Sequence, residues 1–252
     1  ILFTVLLLFV EIRHYATGGD IYAASAGLAE AALQVLALLA LAIGLERLRV
    51  RTGSIVHDVG ALVVAGLGFA AILGLLVLFD NPWWSPVDVG GTVFNLILLG
   101  YLVPAILIVV LATVTRATRP AWYHAIAIAT ATGLGLLYLL LETARLFRGP
   151  VLALGPVSAS EQYAFSAVTL AYGVALLLLG IATRSQVIRF ASAAVVLVAT
   201  AKVFVVDLSG LTGPFRALSF IGLGLALVGI GWLYQRLLFS HPPGPRSEGP
   251  AG

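Results

Sequence analysis

The sequence contains no cysteine and no methionine, and only 10% of its 252 residues are charged. Without cysteine the chain has no disulfides, thiol nucleophiles, iron–sulfur clusters or cysteine-ligated zinc. A soluble globular domain carries about 25% charged residues, so the charges here are too few to cover a water-exposed surface. The shortage of charge therefore excludes a soluble domain and indicates that lipid surrounds most of the chain.

Long apolar runs take the place of the missing charges: 61% of the residues are hydrophobic and the mean hydropathy is +1.08. About 20 apolar residues cross a bilayer, and a backbone in lipid satisfies its hydrogen bonds as a helix. We predict an all-α, polytopic transmembrane helical bundle with seven complete crossings and one truncated N-terminal crossing. The truncated crossing is 1–12, and the complete ones are 22–46, 55–79, 92–115, 121–142, 160–182, 186–206 and 214–237. Pro104 lies inside one of these segments and is expected to kink its helix.

The two ends of the chain differ in character. The first ten residues are almost wholly apolar, yet as a helix they rise only about 15 Å, half the thickness of the hydrocarbon layer. We therefore expect a fragment of a longer protein, whose missing N-terminal portion is a partner of the chain described here. Residues 240–252 are rich in proline and glycine and are predicted to be a disordered tail.

Arginine is distributed unevenly between the two sets of alternate connections. The richer set comprises Arg47, Arg49, Arg51, Arg116, Arg119, Arg184, Arg189, Arg236 and Arg246. The poorer set comprises Arg13, Arg145, Arg148 and Arg216. The positive-inside rule predicts that the richer set and the C-terminal tail are cytoplasmic. The net charge of +3 then reflects membrane topology. We accordingly expect membrane lipids as partners and no binding of nucleic acid.

Two pairs of glutamates suggest an internal repeat. Glu11 and Glu142 lie 131 positions apart in similar sequence contexts, and so do Glu30 and Glu161. The repeat predicts two four-helix units, 1–120 and 121–239, with the same orientation in the membrane because each contains an even number of crossings. Coincidence between Leu- and Ala-rich helices is the alternative explanation.

The most distinctive sequence motifs lie near the C-terminal end, in residues 201–209, 215–224 and 231–236. They include Lys202, Asp207 and Arg216. These motifs resemble the end of a large bacterial family of predicted polytopic membrane proteins, known only as domain of unknown function 2339. The resemblance implies a bacterial membrane protein, which we expect in the inner membrane, and a longer natural chain. It implies no activity and no catalytic residues.

Lys202 is the most informative single residue because a cation inside an apolar helix is costly unless it is paired or reaches the interface. We predict that it meets Glu161, or else Glu30, in an outward-facing pocket. Asp207 is five residues away and is not expected on the same helix face, so Arg216 is its predicted partner. The candidate polar cluster is Lys202, Glu161, Glu30, Glu142, Arg145, Asp207 and Arg216. The competing interpretation is a set of separate interfacial charges, each partly solvated.

The sequence lacks the motifs typical of metal sites, hydrolases and nucleotide-binding proteins. The four histidines lack metal-ligand spacing, and no nucleophile elbow or nucleotide-binding glycine loop is present. We therefore predict no metal site and no cofactor, and we favour a non-enzymatic role in transport, permeation or envelope scaffolding. The alternative is a membrane-embedded enzyme that acts on a lipid-linked envelope substrate through an outward-facing cluster of Glu, Arg and Lys side chains.

Overall fold

The computed structural model describes residues 1–153, 155–207 and 214–239, without the side chains of 214–219, 233 and 237–239. Every regular element in this part of the chain is helical, which confirms the all-α class. The helices are α1 (Leu2–Ala16), α2 (Leu28–Thr52), α3 (Ile55–Phe79), α4 (Leu98–Thr115), α5 (Ala121–Arg148), α6 (Ala159–Ala182), α7 (Gln186–Asp207) and α8 (Pro214–Phe239). Six of them, α2 to α7, are long and apolar enough to cross a membrane. The predicted count of seven complete crossings stays a prediction.

The predicted bounds agree best where an apolar run ends sharply. For α3 the predicted segment 55–79 coincides with the helix, and α7 differs from its predicted segment by one residue. In contrast, α5 continues to Arg148, beyond the predicted end at residue 142. Hydropathy underestimates α5 because its last turns carry charged side chains whose partners lie within the protein.

Contacts divide the chain into two compact units, Ile1–Thr169 and Leu170–Gly252. In the first unit α2 packs against α1, α3 and α4, and it buries Leu28, Val35 and Leu39 almost completely. In the second unit α7 packs against α8. There the buried Ser192 hydroxyl donates to the carbonyl of Gly173 at 2.7 Å and lies 2.6 Å from the Tyr234 hydroxyl. The predicted units 1–120 and 121–239 concern duplication of sequence and stay a prediction.

In the part of the chain that the structure describes, three helices contain π-helical turns, at Ile72–Phe79 in α3, Leu98–Leu102 in α4 and Val203–Asp207 in α7. Such turns have i→i+5 hydrogen bonds and are rare. The turn in α4 ends two residues before Pro104, which has no N–H and crowds the carbonyl four residues earlier. The backbone before Pro104 thus forms a widened turn at the start of α4, and the expected kink stays a prediction.

Candidate functional site

The buried charged side chains of the first unit lie in two layers at opposite ends of its helices. We call the first layer the paired end; it is where α1 and α5 finish and α2 and α6 begin. The second is the basic end, where α2 and α4 finish and α3 and α5 begin. The polar chemistry of the unit is concentrated at these two ends.

At the paired end, Glu30 in the first turn of α2 is only 3% exposed. One carboxylate oxygen accepts hydrogen bonds from Arg13 Nη1 at 3.0 Å and from Gln34 Nε2 at 3.1 Å. The other accepts from the Ser25 hydroxyl and the Ala26 N–H, each at 3.0 Å. Four donors therefore surround the carboxylate, which compensates the cost of burying its charge.

Arg13 also organises the connection between α1 and α2. Its guanidinium donates to the carbonyls of Ile21 at 2.7 Å and Ala23 at 2.6 Å, in addition to Glu30. One side chain thus binds two loop carbonyls and a buried carboxylate. It fastens the end of α1 to the beginning of α2.

Glu161 is held in the same manner between α5 and α6. It is 2% exposed and accepts from Arg148 Nε at 2.7 Å, while Arg148 Nη1 donates to the loop carbonyl of Ala153 at 2.6 Å. The Ser158 hydroxyl accepts from the Glu161 N–H at 3.2 Å and caps the first turn of α6. Glu161 therefore has an arginine partner that was not among the predicted site residues.

Glu142 is the third buried or half-buried glutamate at the paired end that binds an arginine. It accepts from Asn95 Nδ2 at 2.6 Å and from Arg145 Nε at 2.8 Å, and Arg145 also donates to the Thr92 carbonyl at 2.6 Å. The Asn95 side-chain oxygen accepts from the Leu98 N–H at 2.8 Å. Glu142 and Arg145 are thus brought together as a pair that ties α5 to the beginning of α4.

Asp80 follows α3 immediately and is half-buried. Burial raises the pKa of its carboxyl, and the nearby Glu30 carboxylate raises it further. Asp80 was not among the predicted site residues, because its place in a loop outside the apolar runs is typical of a solvated charge. The proximity of Glu30, 50 positions away in sequence, depends on the packing of α2 against α3.

Lys202 contacts Asp207, a residue that was not expected as its partner, and its pairing with Glu161 or Glu30 stays a prediction. Its ammonium lies 2.8 Å from Asp207 Oδ1, and the side chains are 28% and 3% exposed, respectively. In a regular α-helix five residues leave two side chains about 140° apart, which is why Asp207 was excluded. The π-helical turn Val203–Asp207 lowers that angle. The exclusion of Asp207 was wrong because nothing in the residue pattern marks this turn. The side chain of Arg216, the predicted partner of Asp207, lies outside the described residues.

At the basic end, two arginines and two carboxylates form a closed network between the ends of three helices. Glu46, 1% exposed near the end of α2, lies 2.8 Å from Arg119 Nε and 3.2 Å from Arg49 Nε. Asp58 Oδ1 in the first turn of α3 accepts from Arg49 Nη1 at 2.9 Å and lies 2.8 Å from Arg119 Nη1. The four formal charges cancel, so this network adds no net charge to the basic end.

Glu46 is a buried charge that was not predicted from the sequence. It is preceded by Leu45 and followed by Arg47 and Arg49, a context that is typical of the solvated end of a transmembrane helix. A single carboxylate within an arginine-rich helix end was the available signal. Its second partner, Arg119, comes from the connection between α4 and α5 and becomes a neighbour only in the folded unit.

Three further arginines at the basic end, Arg47, Arg51 and Arg116, are exposed. None of them has an ion-pair partner within the residues that the structure describes. The paired end is different, because Arg13, Arg145 and Arg148 each contact a glutamate. Uncompensated positive charge is therefore concentrated at the basic end of the first unit.

Within the described ranges, no three His, Asp or Glu side chains come together in a way that could hold a metal ion. The chain matches the family described as "Predicted membrane protein (DUF2339)" over residues 1–237. It belongs to this family. No curated protein and no solved structure matches the sequence. Family membership and the six apolar helices together establish a membrane protein, and they indicate no specific biochemical role.

Proposed function

We propose that this member of the family is a scaffold of the cell envelope: a helical membrane module whose helices are fastened at both ends by ion pairs. The observation that carries the proposal is the interior of α2, the central helix of the first unit. Between Gln34 and Glu46 its buried side chains are all apolar, and they include Val35, Leu38 and Ile43. Residues 35–45 rise about 16 Å, roughly half of the hydrocarbon thickness.

This apolar interior favours a scaffold over a conduit, by which we mean a channel or transporter with a polar pathway through the membrane. A pathway for ions or polar solutes needs polar side chains or water along its whole length, because an unsatisfied polar group in an apolar medium costs several kcal/mol. The buried side chains of α3, which include Val64, Ile72 and Leu76, are likewise apolar. Among the described residues of the first unit, the buried charged side chains lie at the two ends, where they connect helices.

The contacts at the paired end also disfavour the enzyme alternative. A general acid or base must present its carboxyl group to a substrate. Glu30 instead receives four donors from its own hairpin, and Glu161 is covered by Arg148. Both arginines are further engaged with loop carbonyls, which leaves little of either guanidinium for a substrate phosphate.

We further propose that the scaffold is a tandem repeat, and the positions of its elements support this. Helices α2 and α6 begin at Leu28 and Ala159, and α3 and α7 begin at Ile55 and Gln186. Each start is 131 positions from its counterpart, the same offset that relates Glu30 to Glu161. Equal spacing of two helix starts and a buried glutamate is not expected of unrelated apolar segments.

Irregular backbone positions repeat at the same offset. Ser54 and Ser185 are the N-caps of α3 and α7, and the residues before them, Gly53 and Arg184, both have positive φ angles of 63° and 52°. The π-helical turns of α3 and α7 begin at residues 72 and 203. A duplicated ancestral hairpin accounts for these matches, and it implies parallel orientation of units 1–120 and 121–239.

The proposed membrane orientation follows from arginine alone. We propose the bacterial inner membrane as the location, with the basic end and the C-terminal tail in the cytoplasm and residues 80–91 outside. In this orientation the ion pairs Arg13–Glu30 and Arg148–Glu161 lie at the outer surface.

A flux measurement tests the proposed function. The full chain is purified, reconstituted into liposomes at several protein-to-lipid ratios, and compared with protein-free liposomes for passage of protons, potassium and small polar solutes. A scaffold leaves each rate unchanged at every ratio. Two results together would show a conduit and overturn the proposal. The rate would rise in proportion to protein content, and it would fall in the variant Leu38→Phe, whose larger side chain would narrow a pathway beside the middle of α2.

A further inference from the structure

The unpartnered arginines of the basic end are grouped on neighbouring segments. Arg47 and Arg51 are four residues apart in the last turns of α2, so they lie on one face of the helix. Arg116 follows the end of α4, on the same connection as Arg119. Because Arg119 reaches Glu46 and Asp58, this connection lies against the end of α2 and the start of α3. Three exposed cations thus share one end of the bundle.

A cleft of about 510 Å³ opens among these segments. Its wall combines the polar side chains of Arg49 and Ser54 with the apolar side chains of Val50 and Ile55, which are 63% and 70% exposed. Asp58 also contributes to the wall, but Arg49 and Arg119 neutralise its carboxylate. The Ser54 hydroxyl makes no capping hydrogen bond to α3, so it is a donor available to a ligand.

The three unpaired arginines lie on the segments around the cleft and not in its wall, and together with the exposed apolar side chains of the wall they indicate the class of ligand. A free inorganic anion gains nothing from Val50 and Ile55, and a protein segment would need acidic and apolar side chains spaced to match both the arginines and these residues. An anionic phospholipid matches both the charged and the apolar side chains. Its phosphate is attracted by the arginines, and its upper acyl carbons contact the apolar side chains. Trp122, 59% exposed at the start of α5, is of the type that lies at headgroup level.

We propose that the basic end of the first unit is a binding site for the headgroups of anionic phospholipids. Arg47, Arg51 and Arg116 supply the attraction, and the cleft beside Arg49 and Ser54 receives the headgroup. The proposal is independent of whether the protein acts as a scaffold or as a conduit, because it depends only on the surface that meets the membrane.

Native mass spectrometry of the full chain in detergent, titrated with phosphatidylglycerol or phosphatidylcholine, tests the site. We expect phosphatidylglycerol to bind at least tenfold more tightly than phosphatidylcholine. The variant Arg47→Gln with Arg51→Gln and Arg116→Gln should weaken its binding by on the order of 100-fold, at about fivefold per arginine. All three residues are exposed, so the variant should keep its helical circular dichroism.

The matched control replaces the same three arginines with lysine and should retain the preference for phosphatidylglycerol, because the attraction depends on charge. Equal binding of phosphatidylglycerol by the glutamine variant and the unmodified protein would overturn the site, as would loss of binding in the lysine variant. The headgroup without acyl chains, glycerophosphoglycerol, and inorganic phosphate serve as competitors. If either displaces the lipid at equal concentration, the site binds free anions and the lipid assignment is wrong.

Discussion

Burial of charge in this protein follows a consistent pattern at the level of single residues. Glu30, Glu46 and Glu161 are each no more than 3% exposed, and each contacts at least one arginine. An ion pair of this kind contributes little net stability, because the desolvation cost offsets the attraction. Removing one partner is much more damaging, since the other charge is then buried without compensation. Substitutions that break a pair therefore reveal the role of these residues.

Arg119→Gln tests the network at the basic end. It leaves Glu46 and Asp58 with Arg49 alone, so we expect the free energy of unfolding to fall by about 3 kcal/mol. Arg116→Gln is the matched control: it lies on the same connection but is exposed, and it should change stability by less than about 0.5 kcal/mol in lipid-free detergent. Denaturant unfolding followed by circular dichroism measures both. Equal effects of the two substitutions would show that the network does not hold the helix ends.

The contact between Lys202 and Asp207 predicts a non-additive double substitution. Lys202→Ala leaves the buried Asp207 carboxylate without this cation and should destabilise the protein, whereas Lys202→Ala combined with Asp207→Asn should recover part of the loss. We expect a coupling free energy of about 1 kcal/mol, at the lower end of the usual range because Lys202 is more than a quarter exposed. Strict additivity of the two single substitutions would contradict a direct interaction.

Asp80 predicts a pH dependence of stability. Its pKa is raised in the folded protein, so the folded state binds more protons than the unfolded state between the ordinary value near 4 and the raised value. Stability therefore falls as pH rises through that window. Asp80→Asn removes this contribution, and the difference in melting temperature between the unmodified protein and the variant should change with pH in this window. A constant difference over the whole range would contradict the shift.

At the scale of elements, hydropathy was sufficient to predict α3 and α7 almost to the residue, because apolar runs of that length have one stable form in lipid. It could not predict the π-helical turn in α7, since π- and α-helices carry the same apolar pattern. The consequence was that Asp207 was excluded as a partner of Lys202. Partners that join distant segments, such as Arg119 and Glu46, also depend on packing that a single sequence does not encode locally.

The turns that precede α3 and α7 offer a test of the repeat at element scale. Gly53 has a φ of 63°, which glycine adopts freely, whereas Arg184, 131 positions later, adopts 52° at a steric cost. We expect Gly53→Ala to destabilise the protein by about 1 kcal/mol and Arg184→Gly to be neutral or stabilising. A methyl group at residue 53 would have open space around it, so the expected loss comes from the backbone angle and not from crowding. Destabilisation by both substitutions, measured by denaturant unfolding, would argue against equivalent turns.

At the scale of the whole molecule, the described charged side chains of the first unit lie at the ends of its helices, apart from the apolar middle of α2 and α3. Scarcity of charge in the sequence was enough to predict a helical membrane protein, and family membership agrees. Polar residues were also predicted to gather near helix ends, but as one cluster. In the first unit they are instead distributed over separate contacts, each of which connects particular helices. A distributed arrangement of this kind is suited to holding a bundle together.

Water accessibility along α2 tests this separation most directly. Because the chain contains no cysteine, single cysteines can be placed at Leu38, Leu39 and Ala42 in the centre, and at Ser25 and Thr52 near the ends. Each variant is reconstituted in liposomes and treated with a small, water-soluble thiol reagent that has access to both surfaces. We predict rapid modification at Ser25→Cys and Thr52→Cys and none at the three central positions. Modification of the central cysteines at rates similar to those at the ends would reveal a water-filled pathway and contradict a scaffold with a dry interior.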